Sequence, residues 1–196
     1  ETAFAEVAGR GIKKLMEAGC DVMLGVLEKE AQHLNKRFFT FHNKKRPYII
    51  LKWAQSEDGF IAPLKREDRA PVWISNRYSK QLVHKWRAEE QAILVGTTTA
   101  IDDNPKLNTR LHAGNNPTRV VIDRSGKIPA ESAIFDGSIK TIVIAEDIQE
   151  KAPENVEYRQ VDFSKNLPQQ IGNILFQENL QSVIIEGGRQ TLQHFI

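Results

Sequence analysis

A single cysteine, Cys20, stands among 196 residues, so the chain has no internal disulfide to staple its fold and suits a reducing compartment. No stretch approaches the ~18 consecutive apolar residues of a membrane-spanning helix. The opening residues, ETAFAEVAGRG, lack the basic start and apolar block of a signal peptide, and the expected location is the cytoplasm. Net charge is scarce too: 27 Lys and Arg against 25 Asp and Glu leave +2, too little to argue for a nucleic-acid surface. The basic run Lys44-Lys45-Arg46 has no interleaved aromatics and reads as a linker. His33, His42, His84, His112 and His194 are scattered without ligand spacing, so no metal site is expected in this chain. Neither a GxGxxG fingerprint nor a P-loop occurs, which leaves a conventional Rossmann domain unsupported. Internal repeats and low-complexity tracts are absent as well.

What is present is an ordinary globular composition, 40% hydrophobic and 27% charged, in a chain long enough for one large domain or two small ones. The chain opens directly into a helical pattern over residues 9–19 and stops at Leu192-Gln193-His194-Phe195-Ile196 inside another, so a fragment of a longer protein is expected. DVMLGV, residues 21–26, alternates as a strand. Residues 28–41 give an amphipathic helix with Ala31, Leu34, Phe38 and Phe41 on one stripe. This small β/α unit ends at His42-Asn43-Lys44-Lys45-Arg46-Pro47, the expected domain boundary, which divides the chain into 1–45 and 46–196.

Beyond Pro47, strands and helices alternate. Strands are expected at 48–55, 92–95, 119–123, 141–145 and 182–186, with helices from Ser75 or Asn76 to Ala88 and over 168–178. The charged segment 63–72, between Pro63 and Pro71, reads as a mobile loop. Such alternation implies an α/β architecture, a mostly parallel sheet with helices on both faces.

In an open parallel sheet, ligands lie outside the carboxyl ends of the strands, which directs attention to the residues there. RPYIILKWAQSEDGFIA, residues 46–62, spends one position of an apolar strand on Lys52. That ammonium either needs a buried partner or points to the solvated face of an edge strand. VIIEGG ends a buried strand in Glu186, Gly187 and Gly188. Paired glycines can admit a phosphate to the backbone or merely make a tight turn. Arg124, after RVVID, suits either the 2′-phosphate of NADP or a solvated turn. Asp102-Asp103 before Asn104-Pro105 could be a metal site, a helix cap or a catalytic acid held in a turn. Arg87 and Arg110 could each grip a phosphate or lie at the surface. Trp73 in VWI fits core packing better than a stacking platform.

Taken in order, RPYIILKWAQSEDGFIA, VWIS, HKWRAEEQAILVGTTTAIDDNPKLNTR, RVVID and VIIEGG resemble the reductase domain of the bifunctional riboflavin-biosynthesis deaminase/reductases, the RibD family. The resemblance covers residues 46–196. Residues 7–39 resemble the end of that family's deaminase domain, a cytidine-deaminase-like fold expected here as a small α/β remnant. Its zinc motifs, His-x-Glu and Pro-Cys-x-x-Cys, are absent, so zinc belongs only to a part of the parent before residue 1. The parent is then expected to deaminate as well, a step this chain cannot perform.

The resemblance implies a dihydrofolate-reductase-like fold and an NADPH-dependent reduction of the ribosyl group of 5-amino-6-(5-phosphoribosylamino)uracil to the ribityl chain. It carries catalytic roles to Lys52, Asp103 and Glu186 and substrate contacts to Arg87, Leu107 and Arg110. Cofactor contacts fall on Gln55, Trp73, Thr99, Arg124, Gly187, Gly188, Arg189, Gln190 and Thr191. It also implies a homodimer, with no nucleic-acid or membrane partner. Two departures stand out: Pro71 occupies a position where the family often has a substrate-touching serine, and the family's final strands lie beyond residue 196. The alternatives are a related pyrimidine or pterin reductase and a non-catalytic NADPH-binding module.

Overall fold

The computed structural model describes residues 9–61, 74–148 and 152–196. In chain order the elements are helices α1 (Arg10–Glu17), α2 (Glu28–Leu34) and α3 (Lys36–Lys44), strand β1 (Tyr48–Lys52), helix α4 (Arg77–Glu89), strand β2 (Ala92–Gly96), helix α5 (Thr97–Asp103), strands β3 (Thr118–Ile122), β4 (Thr141–Ala145) and β5 (Val156–Gln160), helix α6 (Leu167–Gln177), strand β6 (Ser182–Glu186) and helix α7 (Arg189–His194). A 3₁₀ turn, Ala133–Phe135, lies between β3 and β4. The strands form one six-stranded sheet in the order β1-β6-β2-β3-β4-β5, and every neighbouring pair is parallel.

Continuous apolar runs are what a parallel sheet covered on both faces requires, because successive side chains point to opposite sides and both sides are dry. Leu94, Val120, Ile142, Val183 and Ile185 pack beneath α6 and α7, against Ile171, Leu175 and Leu192. Their neighbours in sequence, Ile93, Val95, Val121, Val143 and Ile184, face the other way, against Ala100 and Ile101 of α5 and against Leu107, Ile128 and Ile134. The two sheet edges differ. β1 is half-buried along its whole length, whereas β5 carries Glu157 and Arg159, which join Lys140 and Glu178 in a charged ladder. Charges on an edge discourage further strand pairing.

The doubly covered parallel α/β sheet expected from the sequence is the one found, and its helix starts follow the local chemistry. Asn76 caps α4 by accepting from the amides of Tyr78 and Ser79, both at 3.0 Å, and Asn166 caps α6 through Gln169. Four local expectations are corrected. Residues 21–25 form no strand, and the described residues before β1 hold only helices, because a lone alternating segment has no neighbour for its backbone groups. The long helix at 28–41 is broken at Asn35, whose side chain donates to the Ala31 carbonyl at 2.9 Å and closes α2. β5 was hidden by its charges, since the VEYRQ pattern has an apolar residue only on one face. α5 was hidden by three consecutive threonines, poor helix formers that the burial of Ala100 overrides. The segment 63–72, with Pro71, and Trp73 lie outside the described residues.

α3 is tied to the sheet domain. Phe41 is buried with its ring 4.6 Å from that of Phe176 in α6, and Arg37 donates to both carboxylate oxygens of the buried Glu90 at the end of α4. At the other end of the chain, Thr191 of α7 presses onto the last residue of β2. A methyl group on Gly96 would fall well inside the envelope of the Thr191 hydroxyl, and one on Gly187 would lie 2.8 Å from Thr191 Cβ. Gly96→Ala is therefore expected to lower stability by about 1–3 kcal/mol in urea unfolding. In Gly96→Ala/Thr191→Ala the cost should fall clearly below the sum of the single changes. Strict additivity would show that the contact is not what requires the glycine.

Candidate active site

Strand β6, the last in the chain, lies between β1 and β2, and this insertion assembles the site. In the β1–β6 register Lys52 stands opposite Glu186, at the carboxyl ends of both strands. Paired residues of parallel strands share a face, so the two side chains continue the row of Ile50 and Ile184 toward the α5 side of the sheet. The Glu186 carboxylate accepts from Arg87 Nη2 of α4 at 2.8 Å, and both side chains are about nine-tenths buried. Arg87 Nη1 donates to the Asn108 carbonyl at 3.3 Å. Asn108 Oδ1 in turn accepts from Arg110 at 3.0 Å, so one residue ties both arginines.

Beneath this cluster sits His84, one helical turn before Arg87 and only 4% exposed. Its Nδ1 has no hydrogen-bond partner. Burial foremost, then the guanidiniums of Arg87 and Arg110, pushes the imidazole pKa down to about 4. Among the described residues two more buried polar atoms lack partners, Arg87 Nε and Glu186 Oε1. All three belong to this one cluster.

Asp103 ends α5, and the segment after it is held from several sides. Asn104 and Leu107 adopt left-handed backbone conformations, with φ of 38° and 52°. For a leucine this is a strained state, sustained here because the side chain is 2% exposed in the core. Arg119 of β3, itself 1% exposed, donates to the Lys106 carbonyl at 3.0 Å, the Ile134 carbonyl at 3.1 Å and Asp136 Oδ1 at 2.7 Å. That guanidinium holds the Asp136 carboxyl well below the usual carboxylate range. Asn104 Oδ1 accepts from the Ala133 amide at 2.7 Å, and the Thr109 amide donates to Asn116 at 2.9 Å. Asp103, Leu107 and Arg110 thus lie along one segment, which Asn108 joins through Arg87 to Glu186 at the end of β6.

The residues assigned to the cofactor fall into separate groups. Thr99 accepts from the Gly188 amide at 3.3 Å, which brings the start of α5 beside Gly187, Gly188 and α7, where Arg189, Gln190 and Thr191 follow. Gln55 is exposed after β1 and accepts from Trp53 Nε1 at 3.0 Å. Arg124 lies two strands from β6, after β3, where it makes two 2.9 Å bonds to Glu146 and lies over the Phe163 ring. Its neighbour Asp123 is buried with both oxygens on the amides of Lys127 and Ile128, so that acid serves the turn. Trp73 is outside the described residues.

Cavities occur both at β1 and away from the site. One of about 400 Å³ is lined by Lys52, Trp53, Trp86 and Glu90 along the open side of β1. A larger one, about 1220 Å³, lies among α1, α2 and α3 and contains none of the expected site residues. Among the described residues, no group of three or more His, Cys, Asp and Glu side chains could hold a metal ion, and no helix is long and apolar enough to cross a membrane.

Sequence reasoning missed His84, Asn108 and Arg119. The spacing of His84 and Arg87 places both on one helical face, a signal that was available. Nothing local marks Arg119, because its partners come from two separate loops. The buried neutral state of His84 has a pH consequence. Between pH 6.5 and about 4 the unfolded chain binds a proton that the folded chain refuses, so stability falls as pH falls through that window. Urea titrations should show wild type losing about 2 kcal/mol more than His84→Gln between pH 6.5 and pH 5. Parallel losses in the two proteins would mean that His84 charges freely in the fold.

The family model of the RibD C-terminal domain matches residues 47–196. The riboflavin biosynthesis protein RibD of Aquifex aeolicus is 35% identical over 195 residues, covering 97% of this chain and 54% of that protein. Among solved structures, the Thermotoga maritima diaminohydroxyphosphoribosylaminopyrimidine deaminase/5-amino-6-(5-phosphoribosylamino)uracil reductase superposes with a TM-score of 0.81 at 34% identity, covering 97% of this chain and 53% of that one. Acinetobacter baumannii RibD gives the same TM-score, 0.81, at 30% identity over 96% of this chain and 53% of its own. The chain spans about half the length of the curated relatives it matches. With its parallel sheet, its β6 insertion and a match running from β1 to the final residue, the chain belongs to the RibD C-terminal domain family.

Proposed function

We propose that this chain carries the reductase step of riboflavin biosynthesis, the NADPH-dependent conversion of the ribosyl group of 5-amino-6-(5-phosphoribosylamino)uracil to the ribityl form. The observation that carries this reading is the convergence of three unpartnered buried polar atoms, on His84, Arg87 and Glu186, at the carboxyl end of β6. A sugar hydroxyl both donates and accepts. Entering where Arg87 and Glu186 are slightly exposed, one such group completes Glu186 Oε1 and Arg87 Nε together.

Each residue then has a role fitted to its neighbours. Paired with a guanidinium, the Glu186 carboxylate accepts the proton of a ring hydroxyl, while Lys52 in the adjacent register position delivers one to the ring oxygen or amine. Asp103 closes the third side from α5. Arg110, at the rim of the loop, and Arg87 give the 5-phosphate cationic donors, and the strained Leu107 shapes the wall between them. NADPH, when bound, supplies the hydride to the opened sugar carbon. Thr99, Gly187, Gly188, Arg189, Gln190 and Thr191 would hold its nicotinamide half and pyrophosphate, the Gly188 amide lying beside Thr99 with no side chain of its own over it. Arg124 would leave Glu146 to meet the 2′-phosphate, with Gln55 and Trp73 completing the contacts. The chain is further read as residues 1–45 of deaminase origin and 46–196 of reductase, from a cytoplasmic homodimer whose other half is a zinc deaminase.

NADPH oxidation by the full-length protein, supplied with the deaminated phosphoribosylamino-pyrimidine, tests the reading. Lys52→Ala and Glu186→Ala should each lower kcat by about 10²–10⁴-fold in protein that remains folded by circular dichroism. Binding of NADPH without substrate-dependent turnover would sink the enzyme assignment. Arg124→Ala should raise KM for NADPH about tenfold and leave that for NADH unchanged. Equal changes for both would remove Arg124 from the 2′-phosphate.

A further inference from the structure

We propose that Glu146 sets how strongly the cofactor site prefers a 2′-phosphate to a 2′-hydroxyl, by competing with that phosphate for Arg124; the inference rests on the reductase reading above. The sheet register puts both residues where the adenosine end of a dinucleotide would come. Leu94 of β2 pairs with Ile185 on one side and Gly96 pairs with Ile122 on the other, so Gly187-Gly188 and Asp123-Arg124 leave the sheet at about the same height, with β2 between them. Two strand spacings separate those ends by roughly 10 Å, within the span of a dinucleotide whose pyrophosphate lies at the glycines. Glu146 follows β4, the next strand over, and its amide donates to the Arg124 carbonyl at 3.0 Å.

An acid at such a strand end suits the ribose 2′-hydroxyl of NAD, and an arginine there suits the 2′-phosphate of NADP. Here both residue types are present and bound to each other. Arg124 Nε and Nη2 each donate to a Glu146 carboxylate oxygen at 2.9 Å, which occupies the fork that would grip a phosphate in the same bidentate manner. Asp123, the acid beside Arg124, is committed to the amides of Lys127 and Ile128, so Glu146 is the carboxylate left for the 2′ position. The pair is held in place as well: the Arg124 guanidinium lies 5.3 Å from the centre of the Phe163 ring, and the Glu146 carbonyl accepts from Gln160 Nε2 at 2.9 Å. Both side chains are about half exposed, 59% and 46%, so the pair is open to an incoming anion and its own attraction is weak. A 2′-phosphate displaces the carboxylate from Arg124 and then lies beside its negative charge, whereas a 2′-hydroxyl does neither. Glu146 thus lowers the affinity for NADPH and leaves that for NADH nearly untouched.

The test measures binding of adenosine 2′,5′-bisphosphate and of adenosine 5′-monophosphate to the full-length protein by calorimetric titration, for wild type, Glu146→Gln, Arg124→Ala and the double variant. Glu146→Gln, which keeps the size and removes the charge, should tighten the bisphosphate by about three- to tenfold and change the monophosphate by less than about twofold. KM for NADPH should fall with it, so that the preference for NADPH over NADH rises by a similar factor. In the Arg124→Ala background the same change should gain clearly less, because no guanidinium remains to be released. Bisphosphate affinity unchanged in Glu146→Gln, an equal gain for both nucleotides, or the full gain without Arg124 would overturn the role of Glu146. Wild-type protein that shows the Glu146 effect on the bisphosphate yet oxidises no NADPH with the pyrimidine substrate would overturn the reductase reading alone. Absence of bisphosphate binding by wild type, or binding that Arg124→Ala leaves unchanged, would overturn both the placing of the cofactor at β3 and the proposal that rests on it.

Discussion

Parallel pairing of β6 with both β1 and β2 is the constraint on which the rest of the molecule depends. Within the described residues, β6 is the only neighbour of β1 in the sheet, so without it the strand that carries Lys52 has no ladder to join. The same insertion sets Glu186 opposite Lys52 and delivers Gly187 and Gly188 beside α5. The close approach of Thr191 to Gly96 then locks α7 over the end of β2. A contact between the first and last strands is of high sequence separation, and the loop-closure entropy of such pairings makes them costly to form early in folding. The geometry of the candidate site is consequently a late product of the fold rather than a property of any local segment.

Two buried guanidiniums do different work. Arg119 is surrounded by carbonyls and by Asp136, and it joins the 104–107 segment to the 134–138 segment. Its Nε, Nη1 and Nη2 each meet a protein acceptor, which is how a scaffold charge is made tolerable in a dry interior. Arg87 is nearly as enclosed yet keeps an unpartnered Nε, opposite a Glu186 that keeps an unpartnered oxygen. An ion pair of this kind adds little stability over a well-packed apolar pair, and leaving polar atoms unpaired lowers it further. Incomplete satisfaction at one cluster and complete satisfaction at another is the contrast expected between a site that awaits a ligand and a site that only supports.

The support is layered. Leu107 is buried in a strained conformation, Arg119 and Asn104 fix the loop on either side of it, and Asn108 then presents the arginines. Strain of this sort persists only where surrounding contacts over-determine it. Rigid placement matters because reacting groups must be held to within a fraction of an ångström for proximity to count.

Local chemistry in the sequence determined a good deal: the apolar runs became strands buried on both faces, Asn76 became a helix cap, and the strand ends carried Lys52, Glu186 and the paired glycines to one edge of the sheet. These features follow from side-chain periodicity and short-range hydrogen bonding, which a sequence displays directly. The sequence did not determine that residues 21–25 would lack a strand partner, that VEYRQ would find one, or that Arg119 would tie two loops together. Only the tertiary structure decided that Asp123 serves its own turn and that His84, one helical turn from Arg87, is buried with its Nδ1 unpartnered. The physical reason is common to all of these: a hydrogen-bond partner or a strand neighbour supplied from elsewhere in the chain leaves no mark on the local pattern, and the topology of β6 is what brings those partners together.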